Sequence, residues 1–206
     1  SLYFIFFFSV LPVSIGLFLT ALMSRRKVFG LTTFRTILFL PQILPMVMIG
    51  LTFRWIYNPN GMLNAALDAV GLEAFTKPWL GSFTWALPAV GFVGTWAIYG
   101  LAMVLFMAGV QKIPTALYEA ARIDGAGPVR EFFAITLPGL KGELIVAVSV
   151  TLLISLRVFD VVWVMTQGGP GIATTVPSFE IYRAAFQAQN VGAAAAIGVI
   201  MAGFVV

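Results

Sequence analysis

The sequence predicts an all-α fold, a polytopic membrane helix bundle, and three observations carry that prediction. Of 206 residues, 60% are hydrophobic and 10% charged, with a mean hydropathy of +1.00; soluble domains average about 45–50% apolar and 25% charged. Apolar runs recur at the length of about 20 residues needed to cross roughly 30 Å of hydrocarbon. The charges gather in the short stretches between those runs. Five spans are visible, at about 2–23, 36–57, 83–110, 143–165 and 187–206, in one transmembrane domain over 1–206. The chain starts and stops inside apolar runs, so a sixth span is expected before Ser1.

The first run, Leu2 to Met23, is followed by Ser24-Arg25-Arg26-Lys27, and consecutive positive charges mark a cytoplasmic end. The second run carries Pro41 and Pro45, which bend a membrane helix where neighbours re-satisfy the freed carbonyls. Asn58-Pro59-Asn60-Gly61 is a turn. It opens an outer loop, 58–82, with room for one short interfacial helix, and Trp79 and Trp85 suit an aromatic belt. Gly91, Gly94, Gly100 and Gly109 punctuate the third run; small residues let helix backbones approach in a bilayer, so this helix is expected inside the bundle.

A loop over 111–142 follows, then the fourth run and a second outer loop, 166–186, before the fifth. Of the 12 basic residues, Arg25, Arg26, Lys27, Arg35, Lys112, Arg122, Arg130 and Lys141 fall on one side of this topology. Arg54, Lys77, Arg157 and Arg183 fall on or near the other. The excess puts 111–142 in the cytoplasm. The net charge of +4 and pI near 9.7 therefore orient the chain rather than bind nucleic acid. The chain has no cysteine and no histidine, which excludes disulfide frameworks, thiolate nucleophiles, the usual zinc ligand sets and a Ser-His-Asp triad.

Within 111–142, Pro114 is placed to open a helical turn, Gly125 to close it in the left-handed conformation and Pro128 to open a second. The loop reads Glu119-Ala120-Ala121, three residues, Gly125, nine residues, Ile135, one residue, Leu137-Pro138. Each fixed position has chance odds of roughly one in ten to one in twenty at average usage. Two small alanines permit close approach of a partner surface, and Glu119, Arg122 and Asp124 give them a charged rim. An ordinary helical connection lying on the membrane surface is the plainer reading of these residues.

Charge inside an apolar run is costly and marks a functional candidate. In the fourth run Arg157 and Asp160 stand at i,i+3, which on one helix face brings them within pairing distance, flanked by Phe159 and Trp163. Aromatic faces stack on the C–H faces of sugars while charged and amide groups bond hydroxyls, so a neutral polyol suits such a lining. An ion pair tying two helices together is the competing reading.

The signature loop resembles that of permease subunits of binding-protein-dependent ABC importers. Val158-Phe159-Asp160, Thr166-Gln167-Gly168-Gly169-Pro170 and Ile181-Tyr182-Arg183-Ala184-Ala185-Phe186 are similar to their carbohydrate branch, the maltose and glycerol-phosphate permeases. The resemblance implies a multi-pass protein of a bacterial or archaeal inner membrane that passes a sugar delivered by an external binding protein. It further implies that Glu119, Ala120, Ala121, Arg122, Asp124 and Gly125 dock on a cytoplasmic ATPase dimer, that Gly168, Gly169 and Pro170 face the binding protein, and that a second, homologous permease subunit completes the pore. The chain has no phosphate-binding G-K-S/T loop, so it is expected to be no enzyme and to hold no cofactor, ATP and Mg²⁺ being bound by the partner. An ion-gradient-driven secondary transporter is the alternative; it calls for intramembrane carboxylates, and Asp160 stands alone.

Overall fold

A computed structural model describes residues 2–23 and 30–205; the basic run Arg25-Arg26-Lys27 lies outside them. Every regular element among the described residues is helical. The first rod runs from Leu2 to Met23, with a π-turn at Phe6–Val10. Pro12 explains its internal wiring. In the π-turn the Leu11 N–H reaches back to the Phe6 carbonyl. Next in that register is Pro12, which has no N–H, and the Phe7 carbonyl accepts instead from the Thr95 hydroxyl at 2.5 Å.

Thr95 belongs to the long helix Ala86–Val110, which forms the centre of the molecule. The first rod and the long helix press together where glycine on either one leaves space: Phe8 fills the position a Cβ on Gly94 would need, and a Cβ on Gly16 of the rod would stand 2.7 Å from the Met103 nitrogen. This is the close approach expected of small residues in a bundle. The long helix is mostly buried and the first rod less so. Buried hydroxyls lace the centre, with Ser9 and Thr151 2.8 Å apart and Thr20 bonded to the Gly16 and Met103 carbonyls.

Tyr3–Met23 and Ala86–Val110 are each long and apolar enough to cross a membrane. The stretch expected as a second span is two helices, Leu31–Ile43 and Met46–Ile56, bent by 93°. The break falls at Leu44, extended at ψ 138° because Pro45 disfavours helical geometry in the residue before it. The fourth stretch is likewise interrupted: Lys141–Leu156 stops before Arg157, and Asp160–Met165 resumes beyond Phe159. The last helix, Val191–Val205, leaves Val199, Ile200 and Phe204 uncovered by the rest of the chain.

Between the second and third stretches, Met62–Ala69 and a short turn at Glu73–Phe75 form a cap. Asn64 organises it. Its amide donates to the Pro59 and Lys77 carbonyls and accepts from the Trp79 indole N–H at 2.7 Å. Trp79 is therefore held by a specific bond.

Candidate functional sites: the signature hairpin and the aromatic cleft

Residues 111–142 fold into a helical hairpin. Pro114 caps the helix Thr115–Ile123 and Pro128 opens the next turn, Pro128–Glu131, followed by a π-turn at Phe132–Thr136. Gly125 adopts φ +74°. Around it the Ala126 N–H reaches the Ala121 carbonyl at 2.8 Å and the Gly125 N–H the Arg122 carbonyl at 3.0 Å. These are the two bonds of a Schellman cap, and only glycine takes that conformation without steric cost. The π-turn is again followed by Leu-Pro: Leu137 N–H bonds the Phe132 carbonyl, and Pro138 offers no donor for the next. The terminal Leu-Pro of the signature thus marks a change of helical register.

Helix Thr115–Ile123 buries none of its residues. Glu119, Ala120, Arg122, Asp124 and Gly125 are exposed and Ala121 is half-buried, so all six signature positions gather on this one short helix and its cap. Leu117 and Ile123 are 51% and 86% exposed, as are Val129 and Phe133 farther along at 69% and 62%. Behind the helix a cleft of 320 Å³ is lined by Tyr118, Glu119, Arg122, Glu131 and Thr136 among others. Arg122 donates through Nε to Glu131 Oε1 at 2.9 Å. That hydrogen bond, with the charge of Glu131, pushes the guanidinium pKa up from its ordinary value. Composition gave no reason to pair Arg122 with Glu131 over any other carboxylate.

At the other end, Arg157, Phe159 and Asp160 line a cavity of 380 Å³ with Phe8, Met46 and Ile154. The expected pairing of Arg157 with Asp160 does not form: the ion pairs among the described residues are Lys112–Glu143, Arg122–Glu131 and Arg183–Glu180. The i,i+3 argument requires one continuous helix, and the chain leaves helical geometry between them, with Phe159 at φ −139° and ψ −58°. Both charges are exposed at the cavity. Trp163 does not line it. It lies parallel to Phe159, centroids 6.1 Å apart at 10°, and contacts Tyr182 at 4.6 Å. Tyr182 also touches Phe159 and Phe186, at 5.7 and 5.1 Å. Sequence reasoning does not single out Tyr182 and Phe186 as site residues; the i,i+4 spacing of both aromatic pairs is the signal that could have found them.

In the loop Gly168-Gly169-Pro170, Gly169 and Pro170 are half-buried and Gly168 turns inward. Gly168 is buried at φ +85°, and a Cβ there would stand 2.8 Å from Phe179. Thr174 donates to the Gly169 carbonyl at 2.8 Å and meets the Thr166 hydroxyl at 2.7 Å. The exposed tip is Gly171 and Ile172, the latter 74% exposed.

Comparison with known proteins agrees with the signature. Residues 13–206 match the family model described as the inner membrane component of binding-protein-dependent transport systems. A probable ABC transporter permease protein of Bacillus subtilis is 42% identical over 90% of this chain and 64% of its own length. The permease protein of a diacetylchitobiose uptake system of Streptomyces coelicolor is 39% identical over 86% of this chain and 51% of its own. A trehalose/maltose transport system permease protein of Thermococcus litoralis is 38% identical over 84% of this chain and 57% of its own. This chain thus spans about half to two thirds of the length of these relatives. Among solved structures, a bacterial ABC transporter involved in the import of the acidic polysaccharide alginate superimposes with a TM-score of 0.83 at 25% identity, covering 93% of this chain and 67% of that one. With both the signature hairpin and the helical architecture matched, the chain belongs to the family of inner membrane components of binding-protein-dependent transport systems.

Proposed function

We propose that the chain is the membrane-spanning subunit of an ATP-driven importer, moving a mono- or oligosaccharide or related polyol from an external binding protein into the cytoplasm by alternating access. The observation that carries this reading is the uncovered signature helix, on which Leu117 and Ile123 stand 51% and 86% exposed. Apolar positions exposed beside a charged rim mark an interaction surface. The partner assigned to it is a cytoplasmic ATPase dimer that binds ATP and Mg²⁺ and hydrolyses the nucleotide. A second, homologous permease subunit covers part of the remaining apolar helix surface.

The sugar assignment draws support from the relatives, named for diacetylchitobiose and trehalose/maltose, and from the chemistry of the cavity. Phe159 supplies an aromatic face, and Arg157 and Asp160, with no ion-pair partner among the described residues, have hydrogen-bonding capacity to spend on hydroxyls. Trp163 and Tyr182 hold Phe159 in place. The Gly171–Ile172 tip, rather than Gly168, is the part of that loop free to meet a binding protein.

The test is purification of the full-length protein in mild detergent with its genomic neighbours co-expressed. An ATP-hydrolysing subunit is expected to come with it, and Glu119→Lys is expected to remove that subunit. A well-folded chain that never carries an ATPase would overturn the importer reading.

A further inference from the structure

Three side-chain pairs cross the signature hairpin, and they do so in antiparallel order. Lys112 Nζ donates to Glu143 Oε1 at 2.8 Å at the base, the Tyr118 and Thr136 hydroxyls meet at 3.0 Å in the middle, and Arg122 Nε donates to Glu131 Oε1 at 2.9 Å near the tip. On the returning segment the partners are inward: the Glu131 side chain is 8% exposed, against 63% for Arg122, and Thr136 is 4% exposed. Nothing on the outgoing helix is buried. The exposed helix is thus fastened by polar rungs to two side chains, Glu131 and Thr136, that are buried in an otherwise largely exposed return segment.

The returning segment leads directly into the membrane part. Pro128–Gly139 meets Lys141–Leu156 at 70°. Between them sits Leu140, fully buried with Val13, Ala102, Phe106 and Ala147 from the first rod, the long helix and the fourth stretch. At its far end helix Lys141–Leu156 carries Leu153 and Ile154 to the cavity of Arg157 and Asp160.

We propose that Glu131 is a positioning residue for energy coupling: with the Tyr118–Thr136 and Lys112–Glu143 rungs it makes the hairpin a rigid lever, so that displacement of helix Thr115–Ile123 turns helix Lys141–Leu156 about Leu140. The inference rests on the ATPase-docking reading above. Its physical basis is a division of labour. A buried carboxylate offers little surface to a partner, so Glu131 acts through Arg122 and not through contact with the ATPase. A salt bridge on the surface contributes little to stability; this one is half-buried, and losing either member leaves the signature helix attached through its cap and the Tyr118–Thr136 rung, with Lys112–Glu143 still closing the base of the hairpin. Coupling between distant sites requires an element that moves as a unit, and the rungs are what join helix to return segment.

The chain contains no cysteine, so Leu153→Cys places one thiol in this stretch, on the helix at the far end of the lever. The full-length protein with its partner subunits is reconstituted in vesicles, and labelling of the peptide containing position 153 by a water-soluble maleimide is timed without nucleotide and with ATP plus vanadate. With the hairpin intact the nucleotide is expected to change the labelling rate by about tenfold. In Glu131→Ala the ATPase is expected to co-purify undiminished while the nucleotide effect falls below about twofold. Glu131→Gln keeps an oxygen that accepts the Arg122 N–H and is expected to retain most of the effect. Tyr118→Phe removes one oxygen and no packing, which separates lever function from a folding defect, and is expected to reduce the response by about threefold. A full nucleotide response in Glu131→Ala, or loss of the ATPase together with the response in both Glu131→Ala and Tyr118→Phe, overturns the proposal. Absence of any ATPase from the unsubstituted protein is a different result and sinks the importer reading itself.

Discussion

The signature hairpin and the Gly168–Pro170 loop are both glycine- and proline-rich connections, and both were expected to meet partner proteins, yet they use those residues in opposite ways. In the hairpin, Gly125 turns the chain in open space, with no atom within 4 Å of the position a Cβ would take, and the helix before it buries none of its residues. In the second loop, Gly168 is packed under Phe179 and hydrogen-bonded through its carbonyl to the Thr174 N–H at 3.2 Å. One glycine is needed for its φ alone; the other is needed for φ and for space. The same residue types therefore serve an exposed helical elbow in one place and an internally satisfied turn in the other.

Substitutions sharpen that contrast. The largest effect on stability is expected from Gly168→Ala, where left-handed strain and a forced contact with Phe179 add to about 3 kcal/mol; thermal unfolding in detergent, followed by tryptophan fluorescence, measures it. Gly125→Ala meets strain without a clash and is expected to cost about 1 kcal/mol. An equal loss at the two positions would erase the distinction. Gly125→Val adds a β-branched side chain that resists the left-handed elbow, and is expected to leave ATP hydrolysis running without matching sugar uptake in vesicles.

Smaller in stability, and opposite in kind, is Ile123→Ser. At 86% exposure it is expected to shift stability by less than about 0.5 kcal/mol while weakening retention of the ATPase on a pull-down. Retention unchanged by that substitution would show that the apolar side of the helix is not the docking face. Asp160→Asn, exposed at its cavity, is expected to leave unfolding unaltered and to change the rate of uptake across a panel of disaccharides. If kinetics match the unsubstituted protein for every sugar, the cavity charge serves the structure and not the cargo.

Much of this was legible from residues alone, because the relevant physics is local. Apolar run length announces membrane helices, since an unpaired backbone in hydrocarbon is too costly for other structures. The Pro114, Gly125 and Pro128 punctuation announced the hairpin's helix limits and its left-handed elbow, because those residues restrict φ or lack a donor whatever surrounds them. The family reading followed from spacing and is borne out. The glycines of the long helix forecast its central place.

Tertiary structure decided what depends on residues far apart in the chain. Pro45 marked a bend, but its 93° reflects where the two helices find packing partners. Arg157 and Asp160 looked paired because spacing presumes a continuous helix, and the break at Val158–Phe159 sent them separately to one cavity. The partners that matter most, Glu131 for Arg122, Thr136 for Tyr118 and Phe179 for Gly168, are 9, 18 and 11 positions away. Local propensity specifies where a helix starts and stops; which side chains meet across a turn is set by the crossing of whole helices, and that crossing exists only once the bundle is packed.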